Sequence, residues 1–427
     1  MITPPPSVPA TVPETRVVWT LIYVAFLGYI FAVTTFRLPI GEASMIAGLL
    51  GLLLQQERMR LPAILGWSLV FLGWCLLGYF RSPFPTAVWV NVVLLAKLCL
   101  IMLVAANALR SPGQVRFFMI FFLACYALFP VRGAIFNYFA NYTLFGRALW
   151  NYTYDNPNDL AAITLLLLSV AAALLATERT RWIRWCAFAG LAVLPLLILM
   201  TQSRGGFVAL CVFTAVAMFT QHRRRRLQTA VIVVALGLAV VAVAPSGVWT
   251  RVKGLAQVTG NLDNVDPEGS AKSRYEIWRV ATTIIGDYPM TGVGWGAYPF
   301  AHANYAGLSG VDPSARGARD THSTYLNVLA ETGYLGLLLF LGLLWSVVHL
   351  AERARRLCRR VQPRLALQIM YLELGLLAFL VAGIFGSFAK LSFLYLHLVL
   401  LWAVTQNALR ALPSRRPVVL RDLAEVP

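Results

Sequence analysis

Charge is scarce in this sequence. Only 13% of its 427 residues are charged, and 18 acidic residues face 36 lysines and arginines, where a soluble domain carries roughly 25% charged residues. That shortage excludes a soluble globular enzyme. With 59% hydrophobic residues and a mean hydropathy of +0.69, the chain reads as one that crosses a bilayer many times. Cysteine is sparse too. Cys75, Cys99, Cys125, Cys186 and Cys211 fall in apolar runs and Cys358 in an arginine cluster, which excludes a disulfide framework and a zinc spacing. No internal repeat and no pair of inverted halves is visible. The net charge of +18 comes without any basic soluble module or RNA-binding motif, so nucleic acid is not a partner. The arginines sit instead in short clusters between apolar runs, as the positive-inside rule produces.

Apolar runs of spanning length begin near Val17, Pro62, Ala87, Phe117, Leu160, Trp182, Gly205, Thr229, Thr324, Leu365 and Leu391. Ile40 to Leu54 is short for the about 20 residues that a span needs. Counting it places Arg58–Arg60, Arg110–Arg116, Arg179–Arg184, His222–Arg226, Arg353–Arg364 and Arg410–Arg421 on one side, which is then cytoplasmic. The expected fold is an all-α integral membrane protein of about 12 transmembrane helices. Residues 1–16, rich in proline, read as a disordered cytoplasmic tail rather than a signal peptide. Helices one to nine occupy 17–245, a periplasmic loop 246–321, the last three helices 322–410, and a second cytoplasmic tail 411–427. Within the loop, Asn261 to Gly269 is acidic and irregular. Ser273 to Asp287 carries Ile277, Val280, Ala281, Ile284 and Ile285 at helical spacing, which predicts an amphipathic helix lying on the membrane. Tyr288-Pro289 ends it, and Gly292 to Gly296 forms a glycine-rich turn.

Few residues remain to carry chemistry. His322, in Asp320-Thr321-His322-Ser323, stands where the polar loop meets an apolar helix, with Asp320 or Thr321 placed to cap that helix. An imidazole there exchanges a proton near neutral pH; the competing reading is a solvated interfacial histidine. His222, His302, His349 and His397 are weaker candidates, and His397 reads as a packed helix residue. Arg204 lies between Ser203 and Gly205-Gly206 at a helix start, where glycines let an anionic group approach and a guanidinium matches phosphate oxygens. Arg274 and Arg279 sit on the predicted loop helix and Arg147 in an earlier outer loop. For each arginine the alternative is snorkelling to lipid headgroups. The stretch Asn151 to Asp159, with Asn156 and Asn158, offers hydrogen bonds and aromatic rings suited to sugars. Asn158 or Asp159 as a helix cap is the stronger reading, and a divalent cation on Asp155 and Asp159 a weaker one. Lys97 and Glu373 lie inside spans, where charge is a functional suspect. A structural or gating role fits them better than a transport pathway, because nothing else polar falls at their depth and the polar residues gather at one face instead.

In this order, Asn156-Pro157-Asn158, Ser203 to Gly206, Arg274 with Trp278 ahead of Pro289, Gly292 to Gly296, and His322 followed by Tyr325-Leu326, Glu331-Thr332-Gly333 and Leu335-Gly336 resemble the O-antigen ligase family. The resemblance runs from about Asn151 to Gly336. It implies a multi-pass enzyme of the bacterial inner membrane with a GT-C-like helical architecture and an active site open to the periplasm. Such a glycosyltransferase moves O-polysaccharide from undecaprenyl diphosphate to lipid A-core, with inversion and without nucleotide, metal or other cofactor. By resemblance His322 is the general base, and Arg204 and Arg274 bind the diphosphate. Arg147, Arg279, Asn156, Asn158 and Tyr325 are candidate substrate contacts, and membrane lipids are the surrounding partners. Alternatives are an O-antigen polymerase, a protein O-oligosaccharyltransferase and, from another class, a polyprenyl-linked glycan transporter. The sequence does not specify the glycan, the acceptor sugar or the oligomeric state.

Overall fold

Each apolar run that the computed structural model describes folds as a helix. Residues 17–35, 39–55, 57–150, 156–220, 270–308 and 310–412 are described. In chain order the helices are α1 (Leu21–Thr34), α2 (Ile40–Leu54), α3 (Ala63–Tyr79), α4 (Pro85–Ala108), α5 (Pro112–Tyr126), α6 (Arg132–Phe139), α7 (Pro157–Thr177), α8 (Arg181–Met200) and α9 (Arg204–Phe219). After residue 269 come α10 (Ser270–Asp287), α11 (Tyr298–Leu308), α12 (Thr324–Val361), α13 (Pro363–Ala382) and α14 (Ser392–Arg410). A π-helical turn, Ala127–Val131, joins α5 to α6 around Pro130, whose missing N–H interrupts the regular ladder. Among the described residues seven spans are long and apolar enough to cross a membrane: α4, the α5–α6 rod, α7, α8, α12, α13 and α14. α1, α2, α3 and α9 are shorter apolar helices. The span expected near Thr229 lies outside the described residues, as does Asn261 to Gly269.

A helix that is apolar all round belongs inside a bundle. α7 and α14 occupy that place, with 83% of the most apolar stretch of each buried by neighbouring helices. α8 lies at the margin, with only 28% of its stretch covered. Basic clusters gather at one end. Arg60 Nη1 donates to the Arg110 carbonyl (3.3 Å), Arg110 pairs with Glu57, Arg116 with Glu178 (2.7 Å), and Gln362 Nε2 donates to the Ala411 carbonyl (2.6 Å). Burial, then the nearby charges of Arg410 and Arg110, lower the Arg60 guanidinium to about 10. The His222–Arg226 cluster is outside the described residues.

Three expectations need correction. α10 is amphipathic, but Ile277, Val280, Ala281, Ile284 and Ile285 are buried in the protein core, not laid on lipid. The stripe is covered because α11, the turn Pro313–Ala315 and α12 pack on it. Second, α12 is not one rod. Gly333 adopts φ +70°, ψ −175°, and a Cβ there would fall 2.0 Å from the Met290 carbonyl oxygen. The break is strapped by Tyr334 N–H to the Pro289 carbonyl (2.9 Å) and Trp74 Nε1 to the Thr332 carbonyl (2.9 Å). Third, Lys97 and Glu373 are not alone among polar groups at their depth. Lys97 meets Glu42 (3.3 Å), Glu373 meets Arg355 (2.9 Å), and a further pair, Lys390 with Glu331 (2.8 Å), adds polar groups inside the bundle.

Candidate functional site

The end opposite the basic clusters is assembled from loops that hydrogen-bond to one another. Leu144 and Arg147 exchange backbone hydrogen bonds of 3.1 Å, and Ala148 N–H donates to the Met200 carbonyl (2.9 Å). Gln202 Nε2 donates to the Gly146 carbonyl (2.9 Å). Arg147 is thereby laid across the α8–α9 link: Nε donates to the Thr201 carbonyl (2.9 Å) and Nη2 to Asn158 Oδ1 (2.8 Å). Asn158 is available for this contact because neither it nor Asp159 caps α7. Asn156 does, its Oδ1 accepting from Asn158 N–H (2.9 Å), with Pro157 in the first helical position, where a missing N–H costs nothing. Asn156 thus serves as the cap of α7, and Asn151 to Asp155 lie outside the described residues.

Arg204 opens α9, half-buried, behind an N-cap in which Ser203 Oγ accepts from Gly206 N–H (3.2 Å). The two glycines after it do not make room for an anion. A Cβ on Gly205 would meet the Phe385 side chain at 2.8 Å, and one on Gly206 would meet Ala161 at 2.9 Å. They let α9 pack closely on α7 and on the turn that follows α13.

That turn, residues 383–391, also fixes His322. Thr324 N–H donates to the Gly383 carbonyl (2.7 Å) and Phe388 N–H to Thr324 Oγ1 (2.9 Å). Thr324 Oγ1 donates to the Gly386 carbonyl (2.7 Å), and Thr321 Oγ1 lies 3.0 Å from Ser387 Oγ. Trp278 Nε1 of α10 donates to the Thr321 carbonyl (2.8 Å). The expected cap at Asp320 or Thr321 is absent: Ser323 is the N-cap residue and makes no side-chain cap bond. Between these anchors His322 takes φ +51°, a left-handed conformation uncommon outside glycine.

His322 is half-buried, and its pKa lies below the ordinary 6.5. Burial is the main cause, followed by the positive charge of Arg274; Arg319 and Arg147 add to it, and Asp320 opposes it. The structure thus sets Arg274 and Arg147 in the electrostatic surroundings of the imidazole. Arg319 and Asp320 join them without having been picked out as members of the site, although an Arg-Asp pair just before a histidine was a visible signal. Arg204 is tied to the assembly by the close approach of Gly205 to Phe385. Arg279 is not brought in; it is exposed and pairs with Glu276 (2.9 Å). The Tyr325 hydroxyl donates to the Leu380 carbonyl (2.9 Å). His302 is buried, its Nδ1 2.9 Å from the Gly317 carbonyl, and His397 Nε2 lies 2.8 Å from the Leu372 carbonyl inside the bundle.

Beneath the site lies the pair that sequence reading missed. Glu331 is 0% exposed and Lys390 35%. Lys390 Nζ also sits 4.9 Å from the Trp295 ring centre, and Asn327 Nδ2 donates to Glu331 Oε1 (3.3 Å). Val293 and Gly294 N–H groups donate to the Ala330 and Glu331 carbonyls (both 2.9 Å). The glycine-rich turn, the short first segment of α12 and the 383–391 turn are joined there. A lone lysine between Phe388-Ala389 and Leu391 was the available signal.

Residues 188–341 match the family model described as O-antigen ligase; no curated protein matches the chain. The matched stretch contains Arg204, Arg274, Arg319, Asp320, His322 and Glu331 and ends just beyond the α12 break, while Arg147 and Lys390 come from outside it. Over this core the chain is similar to the O-antigen ligase family, and its described residues include seven helices long and apolar enough to cross a membrane.

Proposed function

We propose that the chain is an O-antigen ligase, transferring O-polysaccharide from undecaprenyl diphosphate to lipid A-core at the periplasmic face of the inner membrane. In this reading the end bearing His322 faces the periplasm, residues 246–321 belong to a periplasmic loop, and the basic end is cytoplasmic. An acceptor hydroxyl attacks the anomeric carbon as its proton passes to His322. The bond from that carbon to the diphosphate oxygen breaks with inversion, and undecaprenyl diphosphate leaves carrying the electron pair. Charge grows on the diphosphate as it departs, and guanidinium groups held in place beforehand stabilise it. Arg274 and Arg204 take that role, with Arg147, steadied by Asn158, extending the cationic surface. Asn156, Arg279 and Tyr325 serve the scaffold: a cap, an ion pair and a carbonyl bond.

One observation carries this reading: a histidine kept neutral by burial and by Arg274 is a competent base at pH 7. The neutral form accepts a proton, and the same cations that keep it neutral suit the anionic donor.

The test has two arms. Purified protein with lipid-linked polymer and lipid A-core should form product, and His322→Ala and Arg274→Ala proteins that insert normally should not; near-normal turnover by either removes its assigned role. In cells, deletion should remove the polymer ladder from lipopolysaccharide while lipid-linked polymer accumulates. A single-repeat band would instead indicate the polymerase activity that the family also accommodates.

A further inference from the structure

The basic end holds an open cavity of about 390 Å³ lined by Leu175, Arg181, Arg184, Trp185 and Phe188. Arg181 and Arg184 are one turn apart on the first turns of α8 and so share a face. Two cations at a helix start oppose the helix dipole, so the helix itself gives no reason for them. Nor does a neighbouring carboxylate. Glu178 is the nearest in sequence, and it is 4% exposed and bound to Arg116 at 2.7 Å. Burial alone would raise its pKa, but hydrogen bonds from Arg116 and from the Thr180 and Arg179 N–H groups lower it to about 2. It remains ionised and committed. Among the described residues Arg181 and Arg184 form no ion pair.

The rest of the lining is apolar. Trp182 is 81% exposed and Trp185 62%, on the least covered of the spanning-length helices. Exposed tryptophans beside arginines at a span's end mark the headgroup level of a bilayer. A ligand for this cavity needs an anionic head for two guanidiniums and a hydrocarbon portion for Leu175, Trp185 and Phe188. It gains nothing from an ammonium group, because the carboxylate that would receive one is taken by Arg116.

We propose that this cavity binds the phosphodiester headgroup of an anionic membrane lipid, with phosphoryl oxygens on Arg181 and Arg184 and the upper acyl chain along Trp185 and Phe188. The site is separate from the one around His322 and does not depend on the ligase reading.

Native mass spectrometry of the detergent-solubilised full chain, titrated with phosphatidylglycerol or phosphatidylethanolamine of identical acyl chains, tests this. The first phosphatidylglycerol should bind about tenfold more tightly than phosphatidylethanolamine, in line with the attraction of two basic side chains for anionic lipid. Arg181→Gln/Arg184→Gln should abolish that preference. Both side chains are exposed, so the variant should fold, which its melting temperature checks. Arg359→Gln/Arg360→Gln, an exposed pair outside the cavity, should leave the preference intact. Retention of the preference by the first variant, or equal loss in both, overturns the proposal. So does displacement of phosphatidylglycerol by glycerol phosphate at matched concentration, which would assign the cavity to a soluble phosphate.

Discussion

The arginines that tie loops at the basic end and those gathered around His322 have different surroundings. At the basic end several guanidiniums meet carboxylates, Arg110 with Glu57, Arg116 with Glu178, Arg355 with Glu352 and Glu373, and Arg356 with Glu352, while among the described residues Arg181 and Arg184 do not. At the other end Arg147 donates to a backbone carbonyl and an amide oxygen, and the guanidiniums of Arg274, Arg319 and Arg147 act on one imidazole, with Asp320 opposing them. A carboxylate orients a guanidinium and cancels its charge, whereas a carbonyl only orients it. The first arrangement ties loops together. The second gathers positive charge around one imidazole.

The largest effect expected from breaking this contrast is at His322. His322→Ala should lower the ligation rate about 10²- to 10⁴-fold, the range of a positioned acid–base group, with insertion and melting temperature close to those of the parent. Arg274→Gln should also act on turnover rather than on stability. A His322→Ala protein that is equally impaired in thermal stability would mark the histidine as a structural anchor of its loop, given its φ of +51°.

Next comes the pair beneath the site. Lys390→Met leaves the Glu331 carboxylate fully buried without its cation, a loss of about 3–5 kcal/mol when a buried pair is broken on one side. Glu331→Gln/Lys390→Met should recover much of that stability, since neither charge then needs compensation. Melting temperatures of the single and double variants measure the coupling, and additive losses would show that the two groups act independently.

These two sites also show what was and was not readable from the chain. Helices followed from apolar runs because hydrophobicity is a local property, and His322, Arg204 and Arg274 stood out because polar groups are rare here. The stripe on α10 announced that one face is buried; whether lipid or protein covers it depends on chain far away in sequence. The same limit applies at Gly205-Gly206, where small residues signal a close approach without naming what approaches. Lys390 and Glu331 are 59 residues apart, and only the return of α13 to the start of α12 makes them partners. Gly333 was one glycine in an apolar run, and its break is dictated by the Pro289 and Met290 carbonyls pressing on it.

A smaller effect sharpens the electrostatic half of the comparison. His322 must be neutral to accept a proton, so activity should fall as pH drops through its folded pKa, which lies below 6.5. Arg319 lowers that pKa and Asp320 raises it. Arg319→Gln should therefore move the acid limb of the kcat/KM profile upward, and Asp320→Asn should move it downward. Opposite displacements identify His322 as the group being titrated. Acid limbs that coincide in the parent and both variants would assign the titration to another residue.

The smallest effect belongs to the basic end. Arg356 is 77% exposed and pairs with Glu352 at 2.6 Å, while Arg355 engages the same Glu352 and also Glu373. Removing Arg356 leaves Glu352 with its second cation, and an exposed ion pair of this kind contributes about 0.2–1 kcal/mol. Arg356→Ala should leave turnover unchanged and stability nearly so. Arg355→Ala should cost more, because Glu373 is only 15% exposed and would lose the cation that faces it. If Arg356→Ala proved as damaging to turnover as Arg274→Ala, position relative to the imidazole would no longer separate the two ends. Cationic charge anywhere on the molecule would then be enough, and the distinction between an arginine that ties loops and one beside the imidazole would be lost.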